Sequence, residues 1–219
     1  MRNRWIWIVG IVAVVVIVIG VVLATTLNHP TAAPTPTAST PARTAKPTDA
    51  APTGCLGGNA RDANMLLAAQ KAAPHTTNGA VEVAAAMARW TFRYPSPSTD
   101  EANQVSSSII SSQATSEFRD LAAAIQNNPN PSGGAVPDGT TFYLSLAPGA
   151  FYVESTAADA ATVSLGGGYV VNGALSPQLR SSTTFALVWE DGGWRIKSGS
   201  ITRTTEELFR IGTSFTGGC

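Results

Sequence analysis

Twenty consecutive residues, Trp5 to Ala24, carry no charge and almost no polar atom. This run limits what the chain can fold into more than any other feature. As a helix rising about 1.5 Å per residue it is roughly 30 Å long, the thickness of a bilayer's hydrocarbon core. Buried in a water-soluble domain, such a run would need a partner surface of equal length, so the sequence predicts a single transmembrane helix over residues 5–27. Arg2 and Arg4 lie before the run, and Thr25-Thr26-Leu27-Asn28-His29-Pro30 follows it without a basic cluster. The positive-inside rule then places a cytoplasmic tail at residues 1–4 and the rest of the chain outside the cell membrane. Trp5 and Trp7 fall where an interfacial aromatic belt belongs. A cleaved signal peptide ending near Val22-Leu23-Ala24 is the rival reading, although its apolar region would be longer than such peptides use. Lipidation at Cys55 is disfavoured by its distance from the apolar run. All three readings export the C-terminal part.

Residues 28–54 change character. Pro30, Pro34, Pro36, Pro41, Pro47 and Pro52 alternate with threonine and alanine, and few side chains are large enough to build a core. Such a segment cannot offset the entropy of ordering and stays extended. At about 3.1 Å per residue it holds a domain up to roughly 80 Å from the membrane. O-linked sugars on its threonines are an alternative role, and a bare spacer is the simpler one.

Residues 55–219 have the length of one domain. The chain has zero formal net charge, and no basic stripe appears in it, so direct nucleic-acid binding is not expected. Low charge with abundant alanine, glycine and threonine suits an extracytoplasmic bacterial protein. The only two cysteines, Cys55 and Cys219, bracket the domain. Outside the cell they are expected to form a disulfide; free thiols and an interchain link are the alternatives. With no histidine beside them they make a poor metal site, and no cofactor motif is present.

The first half of the domain reads as helices. Asp62–Ala73 is short and alanine-rich. Gly79–Tyr94 carries Val83, Met87, Trp90 and Tyr94 on one face and Val81, Ala84, Ala88 and Phe92 on another, which predicts a helix buried on most sides. Ser98 with Glu101 three residues on is a capping box. The serine-rich stretch Ser106–Ser116 is expected to weaken or split that helix before Phe118, Leu121, Ala122 and Ile125 restore the period. Asn127–Gly139 is a loop.

The second half alternates with period two. Phe142, Leu144 and Leu146 mark one strand, Gly149–Glu154 a second short one, and Thr162–Val171 a third, bent at Gly166-Gly167-Gly168. Thr183, Phe185, Leu187 and Trp189 mark a fourth, which turns at Asp191-Gly192-Gly193 into Trp194 and Ile196. Thr204 and Glu207 cap a last short helix. Helices followed by a bent antiparallel sheet make an α+β domain, its helices on one sheet face.

This order resembles the NTF2-like fold, a cone of N-terminal helices and a curved sheet. The segment Phe185-Ala-Leu-Val-Trp-Glu-Asp-Gly-Gly-Trp-Arg-Ile196 resembles the final hairpin common in that superfamily. A short tail, one span, a tether and an NTF2-like domain together resemble the VirB8-like proteins of conjugation and type IV secretion. The resemblance implies an assembly protein in an envelope-spanning complex, with the membrane, other secretion-complex proteins and further copies of itself as partners.

No catalytic constellation stands out. Inside a cone, Tyr143, Tyr152, Glu154, Asp159 and Tyr169 are the residues to consider. The tyrosines read equally as strand formers, and Glu154 and Asp159 as solvent-facing residues near a turn. His75 is the domain's only histidine. Trp90, Trp189 and Trp194, with the three tyrosines, are candidate ligand or interface aromatics; as large apolar residues they also suit a core. The leading expectation is a non-enzymatic assembly protein; a tethered module binding a small ligand or wall polymer is the runner-up, and an isomerase- or hydratase-like enzyme comes third. A transfer ATPase encoded nearby favours the first. A deep pocket lined by Trp or Tyr favours the second, and a buried carboxylate of raised pKa within it the third.

Overall fold

The computed structural model describes residues 49–219. The expected membrane span and most of the tether lie outside the described residues; among the described residues no helix is long and apolar enough to cross a membrane.

The helices begin where their caps predict. The Asp62 carboxylate accepts the Met65 N–H at the start of α1 (Ala63–Ala72), and the Thr76 hydroxyl accepts the Gly79 N–H at the start of α2 (Thr77–Thr91). Every residue from Gly79 to Trp90 is buried, so α2 is the central helix of the domain. It passes through Phe92 into β1 (Arg93–Tyr94). At α3 (Thr99–Ser108) the capping box is complete: the Ser98 hydroxyl accepts the Glu101 N–H, and the Glu101 carboxylate accepts the Ser98 N–H. The serine-rich stretch ends this helix. Residues 109–115 instead run beside the final hairpin, where Ile109 O accepts the Ile196 N–H and the Thr115 N–H reaches Lys197 O. Their hydroxyls and backbone compete with helix formation, and the neighbouring strand offers them partners. Two short helices, α4 (Ser116–Arg119) and α5 (Leu121–Asn127), follow.

The sheet is antiparallel and curls into a half-barrel, with the helices packed against it. Its long strands are β2 (Phe142–Ala157), β3 (Ala160–Val171), β4 (Ala174–Glu190) and β5 (Gly193–Ser200). The order is β1-β2-β3-β4-β5, and β6 (Thr213–Ser214), which follows α6 (Thr205–Ile211), pairs with β2. Two expectations are corrected. Phe142–Leu146 and Gly149–Glu154 are one strand, interrupted by a bulge at Leu146-Ala147-Pro148 between the pairs Ser145↔Gly168 and Gly149↔Gly167. And β4 begins nine residues before Thr183, because Ala174–Ser182 is largely exposed and shows no alternation of apolar and polar side chains.

Gly167 and Gly168 of β3 pair with the residues that flank that bulge. A Cβ on Gly167 would lie 2.2 Å from Ser145 O, a backbone atom that cannot step aside. Gly167→Ala is therefore expected to destabilise the fold by about 1–3 kcal/mol, the range for overpacking, seen as a lowered urea midpoint. A midpoint within error of the parent would mean the bulge is not clamped there.

The core lies between α2 and the concave sheet face, with Leu66, Val83, Trp90, Val105, Phe142, Leu165, Trp194 and Ile196 fully or almost fully buried. Gln70 ties three elements together: its amide donates to Ser108 O and Trp194 O, both at 2.9 Å. Cys55 and Cys219 form the expected disulfide, with Cα atoms 5.4 Å apart. Upstream of it Pro52 and Gly54 are buried, and the two ends of the domain are paired. The Thr216 N–H donates to Pro52 O and the Gly217 N–H to Thr53 O.

Candidate functional site

At one end of the half-barrel the helices do not fill the space over the sheet. The last turn of α2 supplies Met87, Trp90 and Thr91; α4 and α5 supply Phe118, Leu121 and Ile125; β4 and β5 supply Phe185 and Gly199. Together they enclose a cleft of about 350 Å³, half open to solvent. That size is at the lower end of small-molecule sites, which are typically apolar with a few placed polar groups. The two short helices that follow the end of α3, α4 and α5, form one wall of the cleft. Phe118 meets Phe185 edge-to-face, with centroids 6.5 Å apart. Gly199 gives Phe118 its seat, since a Cβ there would lie 2.6 Å from the Phe118 Cζ.

The polar groups of the cleft are few. The Trp90 indole Nε1 and the Thr91 Oγ1 are buried and have no hydrogen-bond partner. Ser96, Asn128 and Ser200 stand among the remaining lining residues. Glu117 is the one charged residue of the lining. Its own backbone N–H, the Thr115 hydroxyl and the Ser116 hydroxyl outweigh desolvation and hold its carboxyl below the usual carboxylate range. It is therefore ionised at neutral pH.

The six aromatics singled out from sequence occupy five different places. Only Trp90 lines the cleft. Tyr169 is buried beside Phe142, edge-to-face at 5.3 Å, and burial pushes its phenol up against an opposing hydrogen bond with Ser181. Tyr143 lies under the Arg61 guanidinium at 3.7 Å, in a polar pocket beside the disulfide. Tyr152 faces the Arg203 guanidinium at 4.5 Å. Trp189 and Trp194 form a cluster with His75. The imidazole stacks on Trp189 at 4.1 Å and meets Trp194 edge-on at 5.7 Å, while its Nε2 lies 2.9 Å from Asp159 Oδ1. The Trp194 indole N–H donates to Pro74 O at 3.0 Å. This cluster closes the sheet end near the β2–β3 turn, and Trp194 belongs to the core.

Asp159 is exposed as expected, at 66% of its side chain, but Glu154 is not, at 14%. Arg203, in the loop before α6, folds over it and donates from Nε and Nη2, each at 2.6 Å. The sequence reading missed this pair because its members are 49 residues apart. Phe118, Leu121 and Ile125 read from sequence as one helix face, but the chain breaks at Asp120 and divides them between α4 and α5, and nothing local shows that they border a cleft.

Three further carboxylates lie below their ordinary value. The Arg203 hydrogen bonds lead at Glu154, opposed by desolvation and helped by Ser164. At Glu101 burial pushes upward but is outweighed by the Ser98 N–H, Arg93 and the Ala63 N–H. At Glu190 burial is outweighed by Ser111, the Ser112 N–H and Gln113. A carboxylate whose folded pKa is depressed adds stability that is complete above its unfolded value and is lost as pH falls through the folded one. Unfolding midpoints are therefore expected to hold from neutral pH to about 4.5 and decline below it, less steeply in Glu154→Gln. An identical decline in parent and variant would remove Glu154 from the account.

No family model matches the chain, and no curated protein or solved structure is significantly similar to it.

Proposed function

We propose that this protein is a membrane-anchored binding module, held by the apolar segment 5–27 with its C-terminal domain outside the cell and a proline-rich tether between. In this reading the curled sheet and its helices are an NTF2-like cone whose mouth is the cleft between α2, α4–α5 and β4–β5. The cleft is the observation that carries the reading: an apolar space of about 350 Å³ with the Trp90 indole in its wall.

The test is to purify the full-length chain from its own membrane and extract what travels with it, beside a Phe118→Asp variant. Phe118 is only partly buried, so the substitution places a charge in the apolar cleft wall without emptying the core. The parent is expected to carry an apolar small molecule that the variant lacks. An empty parent, or equal loading of both, sinks the reading.

A second reading, an assembly subunit of a VirB8-like envelope complex that also self-associates, has its own support. The chain leading out of the tether is held to α2 by two buried charges, Glu82 and Arg89, and by the disulfide. Such a joint suits a domain that must keep a fixed relation to its tether. In-cell crosslinking separates the two: capture of a secretion ATPase, a channel subunit or further copies favours assembly, and capture of none removes it.

A further inference from the structure

The cleft presents charge of one sign only. Its lining holds no lysine, arginine or histidine, and Glu117 is its one charged residue. Glu117 is exposed, so its carboxylate is open to a ligand's head group. Its own N–H and the hydroxyls of Thr115 and Ser116 hold it ionised at the start of α4. Among the described residues no basic side chain pairs with it. Arg119, two residues on, turns its Nε to Ala114 O instead, at 2.9 Å.

The wall beside this charge is apolar and reachable. Phe92 follows the last turn of α2, Phe118 and Ile125 come from α4 and α5, and Ile201 follows β5. Phe92, Phe118 and Ile125 are half-buried, and Ile201 is 78% exposed, so each has surface left for a ligand to cover. Covering it is favourable for any apolar body, whatever head it carries. The head group then decides. A carboxylate or phosphate would lose hydration, gain no cation from the lining and face a like charge. A neutral head leaves Glu117 as it was. An ammonium or guanidinium pairs with Glu117, and aromatic side chains nearby favour a cation further.

We propose that the cleft takes a small amphipathic cation, its apolar body against Phe92, Phe118, Ile125 and Ile201 and its ammonium or guanidinium at the Glu117 carboxylate. This rests on the binding reading above and adds the charge of the ligand. The volume admits a molecule of roughly ten to twenty non-hydrogen atoms, by comparison with small-ligand sites.

Three probes with one apolar body test it: 4-phenylbutylamine, a cation; 4-phenylbutanol, which is neutral; and 4-phenylbutyrate, an anion. The full-length chain in phosphatidylcholine nanodiscs, ¹³C-labelled at the isoleucine δ-methyls, is titrated with each. The Ile125 and Ile201 resonances are assigned with Ile125→Val and Ile201→Val. The amine is expected to shift both saturably. It should bind roughly threefold more tightly than the alcohol and roughly tenfold more tightly than the carboxylate, the scale of one solvent-exposed charge contact. In Glu117→Gln, compared in the same nanodiscs, the amine and carboxylate are expected to come within about twofold of the alcohol, whose own affinity is unchanged. The same spread of affinities in parent and Glu117→Gln overturns the assignment to Glu117 while the binding module stands. Equal affinities in the parent, or tightest binding of the alcohol or the carboxylate, overturn the charge argument and leave the module standing. If no probe moves Ile125 or Ile201, the inference and the binding reading fall together.

Discussion

Replacing Arg89 by methionine is expected to destabilise the domain by about 3–5 kcal/mol, the scale of breaking a buried charged network. The side chain has no solvent exposure, and from the last turn of α2 its guanidinium reaches three backbone carbonyls. Nη1 donates to Gly54 O at 3.1 Å, and Nη2 to Gly58 O at 2.6 Å and Ala60 O at 3.0 Å. Desolvation lowers its pKa to about 10, with Arg61 adding to the fall and Glu82 opposing it, so it remains protonated at neutral pH. Methionine fills much of the volume but leaves three carbonyls without a donor. Arg89→Lys is expected to rescue little, because a single ammonium cannot span three acceptors in a fork. Glu82 works from the other side: its carboxylate accepts the Thr53 N–H and hydroxyl, the Gly54 N–H and the Leu56 N–H. The measurement is urea unfolding combined with hydrogen exchange. Protection at residues 53–60 should collapse in Arg89→Met before the sheet is affected. An unchanged midpoint, or a loss spread evenly over the strands, would show that the guanidinium is not the fastener of this segment.

Removing the disulfide with Cys55→Ser and Cys219→Ser is the second large expected effect. The bridge closes a loop of sequence separation 164. Chain-entropy arguments give about 4–5 kcal/mol for a loop of roughly 100 residues, and measured losses of native bridges are about 2–5 kcal/mol. We expect a loss in that range, read as a lower urea midpoint for the double variant than for the oxidised parent. The parent under reductant should match the variant. The effect should not add to that of Arg89→Met, because both fasten the same residues and the second loss finds the segment already released. Full additivity would mean that the two act on separate parts of the fold.

What could be read from the sequence was what is decided within a few residues. Ser98 with Glu101 and Thr204 with Glu207 start helices through contacts three residues apart. Asp191 and Gly192 adopt the positive φ angles that a tight hairpin needs. Period-two alternation marked the parts of strands with one buried face, and it failed over Ala174–Ser182, where neither face is buried. The greasy helix was legible as buried, but its charges Glu82 and Arg89 were passed over, since a pattern of apolar residues says nothing about polar ones that find partners 26 to 35 residues away. The cleft is illegible for the same reason. Its wall is drawn from helices and strands up to about a hundred residues apart. Trp90 and Trp194 were singled out for their size, and both are buried in the core; Trp194 also found a backbone carbonyl, Pro74 O, as its partner.

The disulfide also settles what a protease can do to this domain. Every loop after the tether, including the exposed stretch around Ser132–Gly139, lies between Cys55 and Cys219. A single cut there leaves two fragments that are still one covalent molecule, with the sheet pairing able to hold them in register. The nicked protein would run as a single species until reductant is added and as two afterwards. Damage of this kind is survivable downstream of Cys55 and not in the proline-rich segment before it, where one cut separates everything that follows.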